Sequence, residues 1–219
     1  MISLNHVTRE YQNGKTPVLA IQDISLTVKR GEFVSIVGTS GSGKTTLMNI
    51  LGCLDTPSKG SYTLDGESIT SLPKRLLPRI RNRKIGFVFQ SFHLLPRLTA
   101  LENVEMPLLF RGLPAEHRRA LAEGALRSVG LSDRVSHKPF QLSGGQQQRV
   151  AIARAIVTGP SMVLADEPTG NLDSKSGADV LELLLELNRK GATIVLITHD
   201  DAVAARAGRT LRILDGRLG

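Results

Sequence analysis

Tryptophan is absent, and cysteine occurs once in 219 residues, at Cys53. A lone cysteine excludes an internal disulfide and a cysteine-built zinc site and fits a reducing compartment; Cys53 itself reads as a small core residue on a helix. No run approaches the roughly 18 apolar residues that a membrane span needs, and the opening MISLNHVTREYQ is polar where a signal peptide would be apolar. The chain is therefore expected in the cytosol. Acidic residues are in deficit, 20 Asp and Glu against 28 Lys and Arg, for a net charge of +8. That balance points to an anionic partner, whether nucleotide, nucleic acid or a lipid headgroup surface, without choosing among them.

The length suits one large domain, or one domain with an inserted lobe. Short apolar runs bounded by turn residues, EFVSIVG, KIGFVFQ, SMVLADE and ATIVLITH, read as buried strands of a parallel sheet. Helical patterns lie between them: KTTLMNILGCL, then GQQQRVAIARAIVTGP running to a Gly-Pro stop, then SKSGADVLELLLELNRKG with Ser/Asp before it and Gly after it. This is a doubly wound α/β pattern. The segment to about residue 30, together with SYTLDGESI, reads instead as antiparallel β with turns. From about 91 to 140 there is no strand signal, and PAEHRRALAEGALRSVGL is helical. The expected fold class is thus α/β, a P-loop NTPase core with a mostly parallel sheet, an N-terminal antiparallel β subdomain and an inserted α-helical subdomain at about 91–145. All of residues 1–219 form one domain on this reading. The basic cluster LPKRLLPRIRNRK at 72–84 has two readings, a solvated edge beside the core or a contact with anionic lipid.

GTSGSGKTT, residues 38–46, fits the pattern G-x-x-x-x-G-K-[ST] and lies between a strand and a helix, the context the pattern requires. Gly38, Gly41 and Gly43 let the backbone curl so that successive N–H groups, with Ser40, Ser42 and Thr46 among them, face a phosphate. Lys44 would bridge β- and γ-phosphates and Thr45 would hold Mg²⁺. SMVLADEP ends an apolar strand in two acids, and the alternation of a strand turns Asp166 and Glu167 different ways. Asp166 would meet the Mg²⁺ shell, and Glu167 would polarise the attacking water. These elements say that the chain binds and hydrolyses a nucleoside triphosphate. QLSGGQQQRV at 141–150 adds a serine, two glycines and a helix start, an anion receptor with no nucleophile or base.

Leu142, Ser143, Gly144, Gly145 and Gln146 spell the signature of the ATP-binding cassette ATPases, which the chain resembles over essentially its whole length. Tyr11, GTSGSGKTT, Gln90, MVLADEP, GNLD at 170–173 and His199 in LITHD support the resemblance in order. It implies ATP and Mg²⁺ as ligands. It also implies a second copy of the chain as partner, because in that family the signature faces the γ-phosphate held by the phosphate loop of another cassette. Carried over residue by residue, Tyr11 would stack on adenine, with a surface aromatic in a turn as the other reading. Gln90 would sense Mg²⁺ and link to the helical lobe, His199 would contact the γ-phosphate, and Asp173 would cross the dimer interface. His6, His93, His117 and His137 match no motif and read as surface or packing residues.

Within the family, FVFQSFHLLPRLTALENVEMPLLFRG and LADEPTGNLDSKSG look most like the macrolide-export and lipoprotein-release group. That likeness implies an integral membrane permease of the FtsX/MacB type, a periplasmic adaptor reached through it, and a peripheral position on the inner face of the cell membrane. Phe92, Leu94, Leu95 and Leu98 offer an apolar cleft for a permease helix, or else simply pack the lobe. A soluble cassette acting on DNA or ribosomes is disfavoured, since no coiled-coil insertion, zinc cysteines or second cassette is present, so no nucleic-acid partner is expected. A regulator whose membrane partner transports nothing stays open.

Overall fold

The computed structural model describes residues 1–13 and 16–219. They form two compact units, residues 1–81 with 191–219 and residues 82–190. In chain order the first unit contributes β1 (Ile2–Asn13), β2 (Thr16–Val28), β3 (Phe33–Val37), α1 (Lys44–Leu51), β4 (Lys59–Leu64) and β5 (Glu67–Ser68). The division falls inside α2 (Leu77–Lys84). The second unit follows with β6 (Ile85–Phe89), α3 (Ala100–Leu109), α4 (Ala115–Ser128), α5 (Gly144–Ile156), β7 (Met162–Asp166) and α6 (Ser174–Arg189). The chain then returns to the first unit as β8 (Thr193–Thr198), α7 (Asp201–Ala204), β9 (Arg209–Leu214) and β10 (Arg217–Leu218).

In the first unit β1 pairs antiparallel with both β2 and β4, as the alternating N-terminal sequence predicts. Ile24, Leu26 and Val28 on β2 are buried while Ser25 and Thr27 between them are exposed, the signature of a sheet with one wet face. β3 and β8 are different: every residue of FVSIV and TIVLIT is buried, and the two strands run parallel. β9 pairs parallel with β3 on its other side and turns back into β10. In the second unit β6 pairs parallel with β7, and MVLA of β7 is buried throughout.

Helix boundaries follow their local chemistry. α1 ends at Gly52, and Cys53 lies just past it in a turn rather than on the helix; it is buried, with φ of 52°. α3 is started by a capping box, the Thr99 hydroxyl accepting from the Glu102 amide while the Glu102 carboxylate accepts from the Thr99 amide. The amide and hydroxyl of Thr99 hold the Glu102 carboxyl below its usual range. The basic cluster forms α2 and the turn before it. Leu77 and Ile80 are buried there, and Lys74, Arg75, Arg79 and Arg83 are exposed.

Candidate nucleotide-binding and hydrolysis site

The loop between β3 and α1 is shaped by close backbone approach. A Cβ on Gly38 would sit on the Ile213 carbonyl and 2.5 Å from Ser42 Oγ, and one on Gly43 would lie 2.7 Å from the Ala20 carbonyl, at a φ of 106° that L side chains avoid. The β9–β10 turn locks the loop from outside, Gly216 donating to the Ser42 carbonyl at 2.9 Å. Lys44 donates to the carbonyls of Gly38 (2.6 Å) and Thr39 (2.8 Å), so its ammonium is held over the loop. α1 starts with no side-chain cap and no acid in its first turn. Its unpaired N–H groups and dipole favour an anion by about 0.3–2 kcal/mol.

A cleft of about 540 Å³ opens beside this loop, lined by Ser40, Gly41, Gly43, Lys44, Thr45 and Thr46, with Val18, Leu19 and Ala20 as an apolar wall. Asp215 and Gly216 close another side. Val18 and Leu19 are about half exposed, at 48% and 49%, so a flat apolar ligand would find them uncovered. Tyr11 is not among the lining residues. Its hydroxyl donates to Asp55 at 2.8 Å, and the Arg9 guanidinium sits 4.5 Å from its ring centroid. His199 is exposed, directly after β8, and the register Val37↔Thr198 brings it out level with Gly38 at the carboxyl edge of that strand pair.

The second unit repeats this arrangement. Phe89 is level with Asp166, so Gln90 and Glu167 emerge side by side at the carboxyl edge of β6 and β7. Gln90 is fixed reciprocally: its Nε2 donates to Asn171 Oδ1 at 3.1 Å, and Asn171 Nδ2 donates to the Gln90 carbonyl at 3.2 Å. Glu167 departs from Asp166 for a stronger reason than strand alternation, since its φ of 45° is left-handed. Such a conformation in a non-glycine residue costs on the order of 1–3 kcal/mol and is typical of functional turns.

The signature forms the start of α5. Ser143 Oγ accepts from the Gln146 amide, and Gln146 Oε1 accepts from the Ser143 amide, a complete capping box. Gly144 is half-buried, the end of the Leu172 side chain lying 3.3 Å from where its Cβ would be, while Gly145 is buried and Ser176 of α6 packs where its Cβ would be, at 3.1 Å. A polar cleft of about 320 Å³ lies here, lined by Ser143, Gly145, Gln146, Arg149 and Ser176 among others. Asp173 caps α6, its carboxylate accepting from the amides of Lys175 (3.1 Å) and Ser176 (3.0 Å). The Ser176 hydroxyl first, then these amides, hold that carboxyl below its usual range.

In the first unit Thr45 presents a hydroxyl oxygen, and in the second Gln90 and Asp166 present amide and carboxylate oxygens. These are hard donors of the kind Mg²⁺ takes when phosphates and water complete its shell. Among the described residues no group of three His, Cys, Asp or Glu could hold a metal by itself.

Sequence reading missed Val18 and Asp215, which line the cleft, and the burial of Gln148 on the inner face of α5. Gln148 was detectable: residues 148, 151, 152 and 155 fall on one helical face, and a glutamine interrupts that apolar stripe. Val18 and Asp215 reach the loop only through the tertiary fold, so no local signal marks them.

Loop, strand-end acids and signature define a nucleoside-triphosphatase of the P-loop class. A family model described as ABC transporter matches residues 21–170. The chain is 56% identical over 218 residues to the uncharacterized ABC transporter ATP-binding protein YvrO of Bacillus subtilis, covering all of this chain and 95% of that one. It is 54% identical over 218 residues to the macrolide export ATP-binding/permease protein MacB of Burkholderia pseudomallei, again over its full length but only 33% of MacB. The ATP-binding cassette MJ0796, solved as a dimer in a post-hydrolysis state with ADP and Pi, matches with a TM-score of 0.89 at 48% identity, covering 100% of this chain and 96% of that one. The chain belongs to the ABC transporter family, with the cassette fold and the ATPase activity that define its ATP-binding subunits.

Proposed function

We propose that this chain is the ATP-driven subunit of a transporter of the macrolide-export or lipoprotein-release type, acting as one ABC ATPase unit over residues 1–219 and as a homodimer. Two observations support the dimer: MJ0796 forms one, and the chain has two separate helix starts suited to phosphate, only one of which carries the loop lysine. The second start carries the proposal, because it has no catalytic group and is useful only to a phosphate held elsewhere. Each ATP would lie between the loop of one protomer (Gly38, Ser40–Thr46) and Ser143, Gly144, Gly145 and Gln146 of its partner, with Asp173 at the same interface; the adenine would meet the apolar wall at Val18, and Tyr11, which pairs with Val18 across β1 and β2 but does not line the cleft, would reach it only by leaving Asp55. Thr45, Asp166 and Gln90 would hold Mg²⁺, which when bound neutralises charge on the β- and γ-phosphate oxygens. Lys44 adds its charge there, Glu167 orients the attacking water and takes its proton, and His199 contacts the γ-phosphate.

The substitution Glu167→Gln tests this reading. Turnover should fall by about 10²–10⁴ while ATP binding is kept, because shape survives and the base does not. Phosphate release at the wild-type rate would overturn it.

The MacB relatives carry an ATP-binding and a permease part in one protein, which supports a separate permease of the FtsX/MacB type as partner here. The cassette would then sit on the cytoplasmic face of the membrane, and a periplasmic adaptor would be reached through the permease. Leu95 is 44% exposed and Phe92, Leu94 and Leu98 are half-buried, so the segment after Gln90 retains apolar surface for a permease helix. Cysteines placed there should crosslink to a co-expressed permease; adducts confined to other surfaces would rule that docking out.

A further inference from the structure

Gln148 is fully buried on the inner face of α5, where its helical neighbours on the same face, Ala151, Ile152 and Ala155, are apolar. Its Nε2 donates to the main-chain carbonyls of Phe89 at 3.2 Å and Pro168 at 2.5 Å. A carbonyl can only accept, so these partners fix which way the amide points. Its Oε1 is left buried with no partner among the described residues. An orphaned acceptor carries the desolvation cost of the group, which a methionine of similar size would avoid. Filling the core therefore does not explain the glutamine; tying two carbonyls together does.

The two carbonyls are placed where this matters. Phe89 immediately precedes Gln90, and Pro168 immediately follows Glu167, whose backbone is left-handed. Two turns further along α5, Arg154 donates to the carbonyls of Phe92 (2.7 Å) and His93 (2.6 Å), two more residues with positive φ. Burial lowers the Arg154 guanidinium from its usual range. α5 thus grips the segment around Gln90 at two points and the segment around Glu167 at one.

We infer that Gln148 is a positioning residue for hydrolysis, fixing the segments that bear Gln90 and Glu167 to the helix that begins at Ser143. The inference rests on the roles proposed above for those two residues. If the Ser143 end of α5 engages the nucleotide of a second protomer, the same rigid helix carries that event to the hydrolytic residues of its own chain, and the two sites of a dimer are linked through α5.

The full chain carrying Gln148→Met, Glu167→Gln or both tests this by nucleotide binding, single-turnover hydrolysis and thermal unfolding. Gln148→Met should lower the hydrolysis rate about tenfold while the nucleotide Kd stays within about twofold, the split expected of a group that acts on the transition state. In the Glu167→Gln background the same change should cost less than about threefold, because a residue acting through another is not additive with it. An equal loss in both backgrounds, or a loss of binding that matches the loss of rate, overturns the inference. Wild-type turnover by Gln148→Met beside an inactive Glu167→Gln overturns it while leaving the proposed function intact. Wild-type turnover by Glu167→Gln overturns the proposed function and the inference with it. Gln148→Asn, one methylene short of the carbonyls, replaces the methionine variant if that does not fold. If neither folds, Gln148 is a folding residue and the inference falls.

Discussion

The starts of α1 and α5, both assigned above to phosphate, are built in opposite ways. α1 begins at Gly43 with φ of 106°, no side-chain cap and no acid nearby, and with Lys44 folded back on the carbonyls of Gly38 and Thr39. α5 begins at an extended Ser143 closed by a reciprocal capping box with Gln146. An uncapped start keeps its N–H groups for a ligand and depends on tertiary contacts to exist at all. A capped start is complete without a ligand. Because the Ser143 hydroxyl spends only its lone pairs on the cap, its proton remains to be donated. On the function proposed above, the first would be a charged receptor that holds phosphate, and the second a neutral, preformed surface that a phosphate meets late. That division suits a cycle in which binding precedes closure.

The largest expected effect tests whether the two starts serve one site. Lys44→Ala and Ser143→Asp should each lower turnover by 10² or more, about the loss seen when one preorganised charge-stabilising group is removed. Aspartate caps a helix about as well as serine, so the second lesion adds a carboxylate against the γ-phosphate without unfolding α5. Gly145→Asp would be a poorer choice, since Ser176 occupies the space its side chain needs. A 1:1 mixture with free exchange should recover up to about a quarter of wild-type activity, half the dimers being mixed and each having one intact site. No recovery despite demonstrated heterodimers would break the shared-site reading.

Alanine at the glycines separates the two constructions by stability. Gly43→Ala combines a left-handed backbone with overlap on Ala20 and should cost about 2–4 kcal/mol. Gly144→Ala has no positive φ, and its Cβ would be 3.3 Å from the end of the Leu172 side chain. Tightness and the gain in helix propensity should offset there to within about 1 kcal/mol. Denaturant unfolding of both variants checks the order, and equal losses would erase the contrast.

Most of this contrast was legible before any coordinates. The glycine spacing around Lys44, the apolar runs of β3, β6, β7 and β8, and the Ser-Gly-Gly-Gln start of α5 each follow a local rule, and the structure places elements on all of them. α3 was also readable from Thr99 and Glu102 as a capping box, yet Pro96 before it and Pro107 inside it masked the helical period. β9 and β10 were missed because RTLRIL is mostly exposed, with charges breaking its apolar pattern. The apolar wall at Val18 and the bridge from Gln148 to Phe89 and Pro168 depend on residues 20 to 60 positions apart meeting in space, which no single-sequence period encodes.

A smaller effect concerns the cap itself. Ser143→Ala removes the acceptor for the Gln146 amide and should cost about 1 kcal/mol, with a larger relative loss of turnover if the hydroxyl proton is used by a partner's phosphate. A drop in stability with unchanged turnover would reduce Ser143 to a structural cap.

The smallest effect sharpens the comparison through a third helix start, that of α6, which is self-capped by a carboxylate rather than a hydroxyl. Asp173 is exposed, and its carboxyl is held below its usual range first by the Ser176 hydroxyl and then by the amides of Ser176 and Lys175. A carboxyl depressed in the folded state adds stability that is fully present above its unfolded value, about 3.9, and is lost as pH falls through the lower folded value. Asn caps nearly as well but does not titrate. The difference in Tm between the wild type and Asp173→Asn should therefore favour the wild type at pH 6 and shrink steadily below pH 4, while the shift at Glu102 is common to both proteins and cancels. Because Ser176 also packs over Gly145, acid should loosen the α5–α6 contact beside the signature before it touches the loop at Lys44, which has no carboxylate in its cap. A Tm difference that stays constant from pH 6 to pH 3 would mean that the Asp173 charge does not support the cap, and the distinction between charged and neutral self-capping would fall away.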